Sequence, residues 1–159
     1  MNDKVRAALE DLGIPYEVVE IDPAFSATAA FCEKYGYPLE QTCNTIIVLG
    51  KGATSKLAAC VVPGAARLDV NNCVRKLLGV RKASFAPAEL MKEATGMEVD
   101  GVTPLGLPEC MPVYVDEHLT ACEWVILGAG TRDAKVKVSP RVFSALGAQR
   151  VTGLSITAV

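Results

Sequence analysis

A single histidine, His118, occurs in this 159-residue chain, and that scarcity narrows the chemistry at once. A cysteine nucleophile wants an imidazole partner, and here only one exists. Following a strand-like run and two acids in "VDEHLT", His118 reads as an exposed turn residue rather than a general base. The six cysteines (Cys32, Cys43, Cys60, Cys73, Cys110, Cys122) show no CxxC and no paired metal spacing. With no export signal they are expected as reduced thiols in a cytoplasm, Cys60 and Cys122 serving as small core hydrophobes. No apolar run approaches the ~18 residues that cross a bilayer, and "MNDKVRAALEDLG" is amphipathic and acidic, unlike a signal peptide, so no membrane partner is expected. A Walker loop, a GxGxxG after a strand, HExxH and GxSxG are all missing. Nor is positive charge in excess. The net charge of −2 argues against bulk nucleic-acid binding while leaving room for a local basic patch.

What is present is a globular composition, 50% apolar and 21% charged, sufficient for one domain spanning 1–159 with a real core. Val5, Leu9 and Leu12 at helical spacing predict a helix over 3–12, stopped at Gly13. "YEVVEI" predicts a strand, and Ser26 a cap for a helix running to about position 35. "NTIIVLG" and "KLAACVVPG" predict a hairpin around "GKGATS". Asp69 and Gly79 bracket a helix over 69–79, and Pro87 and Gly96 bracket another. "MPVYVD", "CEWVILG" and "AKVKVS" predict three short strands. Ser139-Pro140 starts a further helix, and "RVTGLSITAV" predicts one closing strand. Strands adjoin strands, with helices between groups. The fold class expected is α+β with a mixed, largely antiparallel sheet.

Two glycine-bearing stretches stand out, "GMEVDGVTPLGLPE" and "ILGAGTRD". Each reads either as a set of tight turns or as backbone opened for a ligand's close approach. The order "FSATAAF", "CNTIIVLG", "LAACVVPGAARLD", "ATGMEVDGVTPLGLP", "VYVDEHL", "VILGAGTRD", "VSPRVFSALGA" resembles the YbaK/ProX family of aminoacyl-tRNA deacylases, relatives of the prolyl-tRNA synthetase editing domain, over about 5–156. The resemblance implies a sheet curved into a partial barrel with flanking helices. It implies hydrolysis of the ester joining a wrong amino acid to the acceptor end of an aminoacyl-tRNA, with no metal or organic cofactor. By position it makes Asn44 and Gly101 the expected catalytic residues. It makes Thr45, Gly101, Val102, Thr103, Pro104, Gly128, Ala129 and Gly130 the expected substrate contacts, with glycine-loop amides as oxyanion donors, and Lys135, which follows the second glycine segment, is a further candidate contact.

At position 44 the chain departs from the family it resembles, whose usual residue there is lysine. Asparagine donates hydrogen bonds but brings no charge to an oxyanion. If the lysine's role is electrostatic, its loss costs on the order of 3–4 kcal/mol of transition-state stabilisation. Lys135 reads in two ways, as a cation moved to the opposite pocket wall or as an outward charge alternating with Lys137 in "KVKV". Lys51 and Lys56 read as solvated turn residues. Arg67, Arg75, Lys76, Arg81, Lys82 and Arg132 are candidate tRNA contacts if they cluster at a pocket mouth, and ordinary surface otherwise. Phe25, Phe31 and Ile46 are either specificity or core residues.

Overall fold

Helix α1 (Asp3–Leu12) is set by its ends: the Asn2 side chain accepts from the Lys4 amide, and Gly13 stops the helix in the left-handed region. Val5 and Leu9 fall one turn apart on its buried face. These features come from a computed structural model, which describes residues 1–157. Strand β1 (Tyr16–Glu20) follows, then a 3-10 turn over Pro23–Phe25 and helix α2 (Thr28–Tyr35). Ser26 is not the α2 cap. Asp22 captures the Ala24 amide and Pro23 starts a turn first, so Ser26 closes that turn and Ala27 takes the cap position without a side-chain bond.

Strands β2 (Cys43–Lys51) and β3 (Ser55–Pro63) form the expected hairpin, in unbroken antiparallel register from Cys43 opposite Pro63 to Lys51 opposite Ser55. Strand β4 (Ala66–Leu68) leads to Asp69, which caps through the Asn72 amide. The helix beyond opens with a wide π-type turn, Val70–Val74, before the single α-turn α3 (Arg75–Leu78). Strand β5 (Lys82–Phe85) escaped the sequence reading because "KASF" is short and half polar; it is recruited by pairing with β2. Helix α4 (Ala88–Thr95) has Pro87 at its cap position. After an irregular stretch come β6 (Val113–Asp116), the one-turn α5 (Glu117–Thr120), β7 (Val125–Gly128) and β8 (Ala134–Val138). Helix α6 (Arg141–Ala145) starts where Ser139-Pro140 predicts, with the Ser139 hydroxyl accepting from the Arg141 amide at 3.2 Å. The expected single closing strand is two, β9 (Gln149–Val151) and β10 (Ser155–Thr157), parted where Gly153 turns at φ 76. Positions 158 and 159 of that prediction lie outside the described residues.

The strands form a five-stranded sheet (β5-β2-β3-β6-β9), a three-stranded one (β1-β8-β7) and the pair β10-β4. Among the described strand ladders only β3–β6 and β6–β9 are parallel. The class is therefore α+β, mixed and largely antiparallel, with sheets that stay open. The main core lies between the two larger sheets. Cys43, Val61 and Val115 face Val125, Leu127 and Val136, and α1 and α6 close the ends with Val5, Leu9, Val142 and Phe143. A second core fills the other face of the five-stranded sheet beneath β4 and α3. One parallel bridge, Thr42 to Ile126, ties the start of β2 to β7. That tie positions the site. Among the described residues no helix is long and apolar enough to cross a membrane.

Candidate active site

Where β2 leaves the bridge, its first residues and the inner end of β8 bound a cavity of about 230 Å³. Strand β2 contributes Cys43, Asn44, Thr45 and Ile46; β7 and β8 contribute Gly128 and Lys135; Asp100, Val102 and Thr28 complete the wall.

Lys135 dominates the electrostatics. It is 5% exposed, and its Nζ donates to the carbonyls of Ser26 at 2.7 Å and Asp100 at 3.1 Å. Lys135 and Lys137 do share a face of β8, but that face is covered: the Phe31 ring centroid lies 5.7 Å from the Lys135 Nζ, and Trp124 lies under Lys137. Burial pulls the Lys135 ammonium below the usual lysine range, and the nearby Asp100 charge opposes that shift. On the opposite wall Asn44 is held by a hydrogen bond from the Thr28 hydroxyl to its carboxamide oxygen. Thr45 lines the cavity with a buried hydroxyl that has no hydrogen-bond partner, an exception to the usual satisfaction of buried polar groups.

The glycine segments play a different part from the one expected. A Cβ on Gly101 would sit 2.6 Å from the Thr131 carbonyl oxygen, and one on Gly128 would collide with the Val102 carbonyl. The Gly101 amide donates to Glu98, and the Gly130 amide donates to the Gly101 carbonyl at 2.7 Å. These glycines let two backbones abut, and the Gly101 and Gly130 N–H groups are spent on holding them together. Gly101 itself lies behind the wall formed by its neighbours Asp100 and Val102. Thr103 is fully buried, its hydroxyl unpartnered; Pro104 borders a separate depression beside α1; Ala129 belongs to the main core; Gly130 packs on Asn2 and Val5. Of the expected site residues, the cavity gathers Asn44, Thr45, Val102, Gly128 and Lys135.

It also gathers three that sequence reasoning missed. Thr28 is remote in sequence and carries no local signal. Cys43 is a buried thiol pushed well above its ordinary pKa by desolvation, hence neutral and unsuited to nucleophilic attack. Asp100 has φ 66, the one left-handed non-glycine residue among those described. Its place just before "GVTP" was the available clue, since aspartate tolerates that conformation. Ile46 lines the cavity, Phe31 backs Lys135, and Phe25 packs edge-on against Tyr35. The six basic candidates are not gathered at the mouth. Only Arg132 adjoins the site, bonding the Ser26 hydroxyl and the Pro23 carbonyl, while Arg81 and Lys82 flank a separate depression with Lys51.

Residues 22–146 match the family described as "Aminoacyl-tRNA editing domain". The chain is similar to the "Putative Cys-tRNA(Pro)/Cys-tRNA(Cys) deacylase EbsC" of Enterococcus faecalis, 23% identical over 141 residues that cover 87% of this chain and 84% of that one. Among solved structures it resembles "hypothetical protein APE2540", with a TM-score of 0.86, 28% identity and coverage of 97% and 100% of the two chains. It also resembles a "putative trans-editing enzyme for prolyl tRNA synthetase", with a TM-score of 0.78, 26% identity and coverage of 96% and 97%.

Proposed function

The chain belongs to the aminoacyl-tRNA editing domain family, and on that premise we propose that it is a deacylase in which water cleaves the ester between a wrong amino acid and the acceptor end of a tRNA, with Asn44 and Lys135 as working groups. The observation that carries this reading is a buried lysine across a small polar cavity from Asn44. The positive charge that the resemblance expects on β2 is supplied here by β8. The names of the two similar proteins, a deacylase and a trans-editing enzyme, support the substrate class.

An aminoacyl ester is already activated, so the site has to position the carbonyl, admit water and stabilise the tetrahedral oxyanion. A lysine ammonium has three donors. Two are taken by the Ser26 and Asp100 carbonyls, leaving the third for the oxyanion. The Thr28 bond occupies the Asn44 oxygen and leaves its N–H groups for the substrate. The unpartnered Thr45 hydroxyl gains a partner when the cavity fills. As the intermediate collapses, the carbon–oxygen bond to the ribose breaks, and the proton given up by the attacking water passes through the neighbouring ribose hydroxyl to the departing ribose oxygen. The reaction belongs in the cytoplasm, where tRNA is charged.

The test is release of amino acid from a panel of mischarged tRNAs. At least one member is expected to turn over, with Asn44→Ala slower by about tenfold or more, in line with a lost donor. No turnover on any member overturns the proposal. The neutral Asn44, its oxygen already engaged, favours a second reading as a binding protein for aminoacyl-tRNA, and saturable binding without hydrolysis would select it.

A further inference from the structure

Asp100 serves the deacylase reading through its main chain alone, and its side chain, at the edge of the cavity, is given no task. It holds the left-handed conformation alone among the described non-glycine residues, at φ 66. Aspartate is one of the few side chains that tolerate it. Its main-chain carbonyl accepts from Lys135, but its carboxylate is exposed and has no cation within 4.0 Å among the described residues. The carboxylate is nonetheless near enough for its charge to act on the Lys135 ammonium. The site therefore holds a cation inside and an anion at its edge. They are kept from neutralising one another directly because the lysine bonds the aspartate's backbone rather than its side chain.

That pattern complements one chemical group closely. An α-aminoacyl ester carries an ammonium one carbon away from a carbonyl whose oxygen becomes anionic on attack. We propose that the Asp100 carboxylate is a subsite for the free α-ammonium group, orienting the ester carbonyl toward Lys135 and restricting the site to substrates whose amino group is unacylated. This rests on the deacylase reading. An N-acylated ester offers no cation to Asp100 and sets an amide against an unpaired carboxylate, so peptidyl and formylated esters are excluded along with it.

The experiment uses the full chain and a panel of amino-acid amides, each with its N-acetyl counterpart, followed by NMR titration of wild type and Asp100→Asn. Asparagine tolerates the left-handed conformation, so the substitution removes charge and leaves the fold. Free-amine amides are expected to bind and to perturb signals of Val102 and Lys135. Asp100→Asn should weaken them about tenfold or more, as for a charge-assisted hydrogen bond, while N-acetyl amides bind weakly and equally to both proteins. Equal affinity of wild type for free and acetylated amides overturns the proposal. So does an equal loss for both on substitution, or the absence of binding by every amide. Deacylation of aminoacyl- and N-acetylaminoacyl-tRNA is measured in parallel. Charge-dependent amide binding without tRNA hydrolysis keeps the subsite and rejects the deacylase; hydrolysis indifferent to acetylation does the reverse.

Discussion

At the end of β6, Asp116, His118 and Ser155 bring a carboxylate, an imidazole and a hydroxyl together, whereas the cavity between β2 and β8 brings together an amide, an ammonium and two threonine hydroxyls. By residue type the first set is the more suggestive of a hydrolase. Its bonding says otherwise. Asp116 is 2% exposed, and one of its oxygens takes both the His118 amide at 2.9 Å and the imidazole Nδ1 at 2.7 Å. The other takes the Ser155 hydroxyl. The serine thus points at the carboxylate, not at the imidazole that would have to activate it. Those bonds fasten α5 and β10 to β6. In the cavity, by contrast, one lysine donor, the Asn44 N–H groups and the Thr45 hydroxyl are left over. Unspent bonding capacity beside empty space distinguishes a site better than the kinds of residue present.

The sharpest break of this comparison is Lys135→Met, which keeps the length of the side chain and removes its donors. Single-turnover deacylation is expected to fall by about 10²–10³, as for a lost oxyanion donor. Stability in urea should hold or rise, because a desolvated ammonium is gone. Next comes Asp116→Ala, which removes the acceptor of three donors and unties β10. It should cost about 3 kcal/mol of unfolding free energy while the deacylation rate below the melting temperature is unchanged. A finer contrast pairs two hydroxyls. Ser155→Ala should lower stability by about 1–2 kcal/mol and spare activity, whereas Thr45→Val, removing an unsatisfied group, should leave stability unchanged or slightly raised and slow deacylation. The smallest effect is in pH. Since burial lowers the folded pKa of Lys135 from 10.5, the unfolded chain binds more protons between the two values. Wild type should therefore gain stability relative to Lys135→Met as pH rises through that window toward 10.5, with a constant difference below it. Urea melts from neutral to alkaline pH measure this.

The hairpin of β2 and β3 was legible because its apolar runs and glycine-flanked turn are local, and the helix stops at Gly13, Gly79 and Gly96 were legible for the same reason. Strand β5 was not, since only its pairing with β2 makes "KASF" extended. The division of the chain's end into β9 and β10 depends on two different partners, β6 and β4. In the site, Asn44 could be singled out by its departure from a pattern. The fate of Lys135 could not: alternation correctly put it on the face of Lys137, but whether that face meets water is decided by Phe31 and α2 arriving from elsewhere. The glycine segments reach the cavity only through Asp100, Val102 and Gly128: glycine signals close approach without saying to what. Here the partner is another stretch of the same backbone.

That last contact has a consequence for how such a protein can diversify. Where Gly128 lies against the Val102 carbonyl, the floor of the chamber is main chain on both sides, so no exchange of side chains there can deepen it. Any change in the size of acyl group admitted has to be made at the walls, with Ile46, half-buried on β2, the apolar position with most room to change, since Cys43 is packed into the main core. Selectivity in this scaffold would then drift along a single strand while the floor beneath it stays fixed.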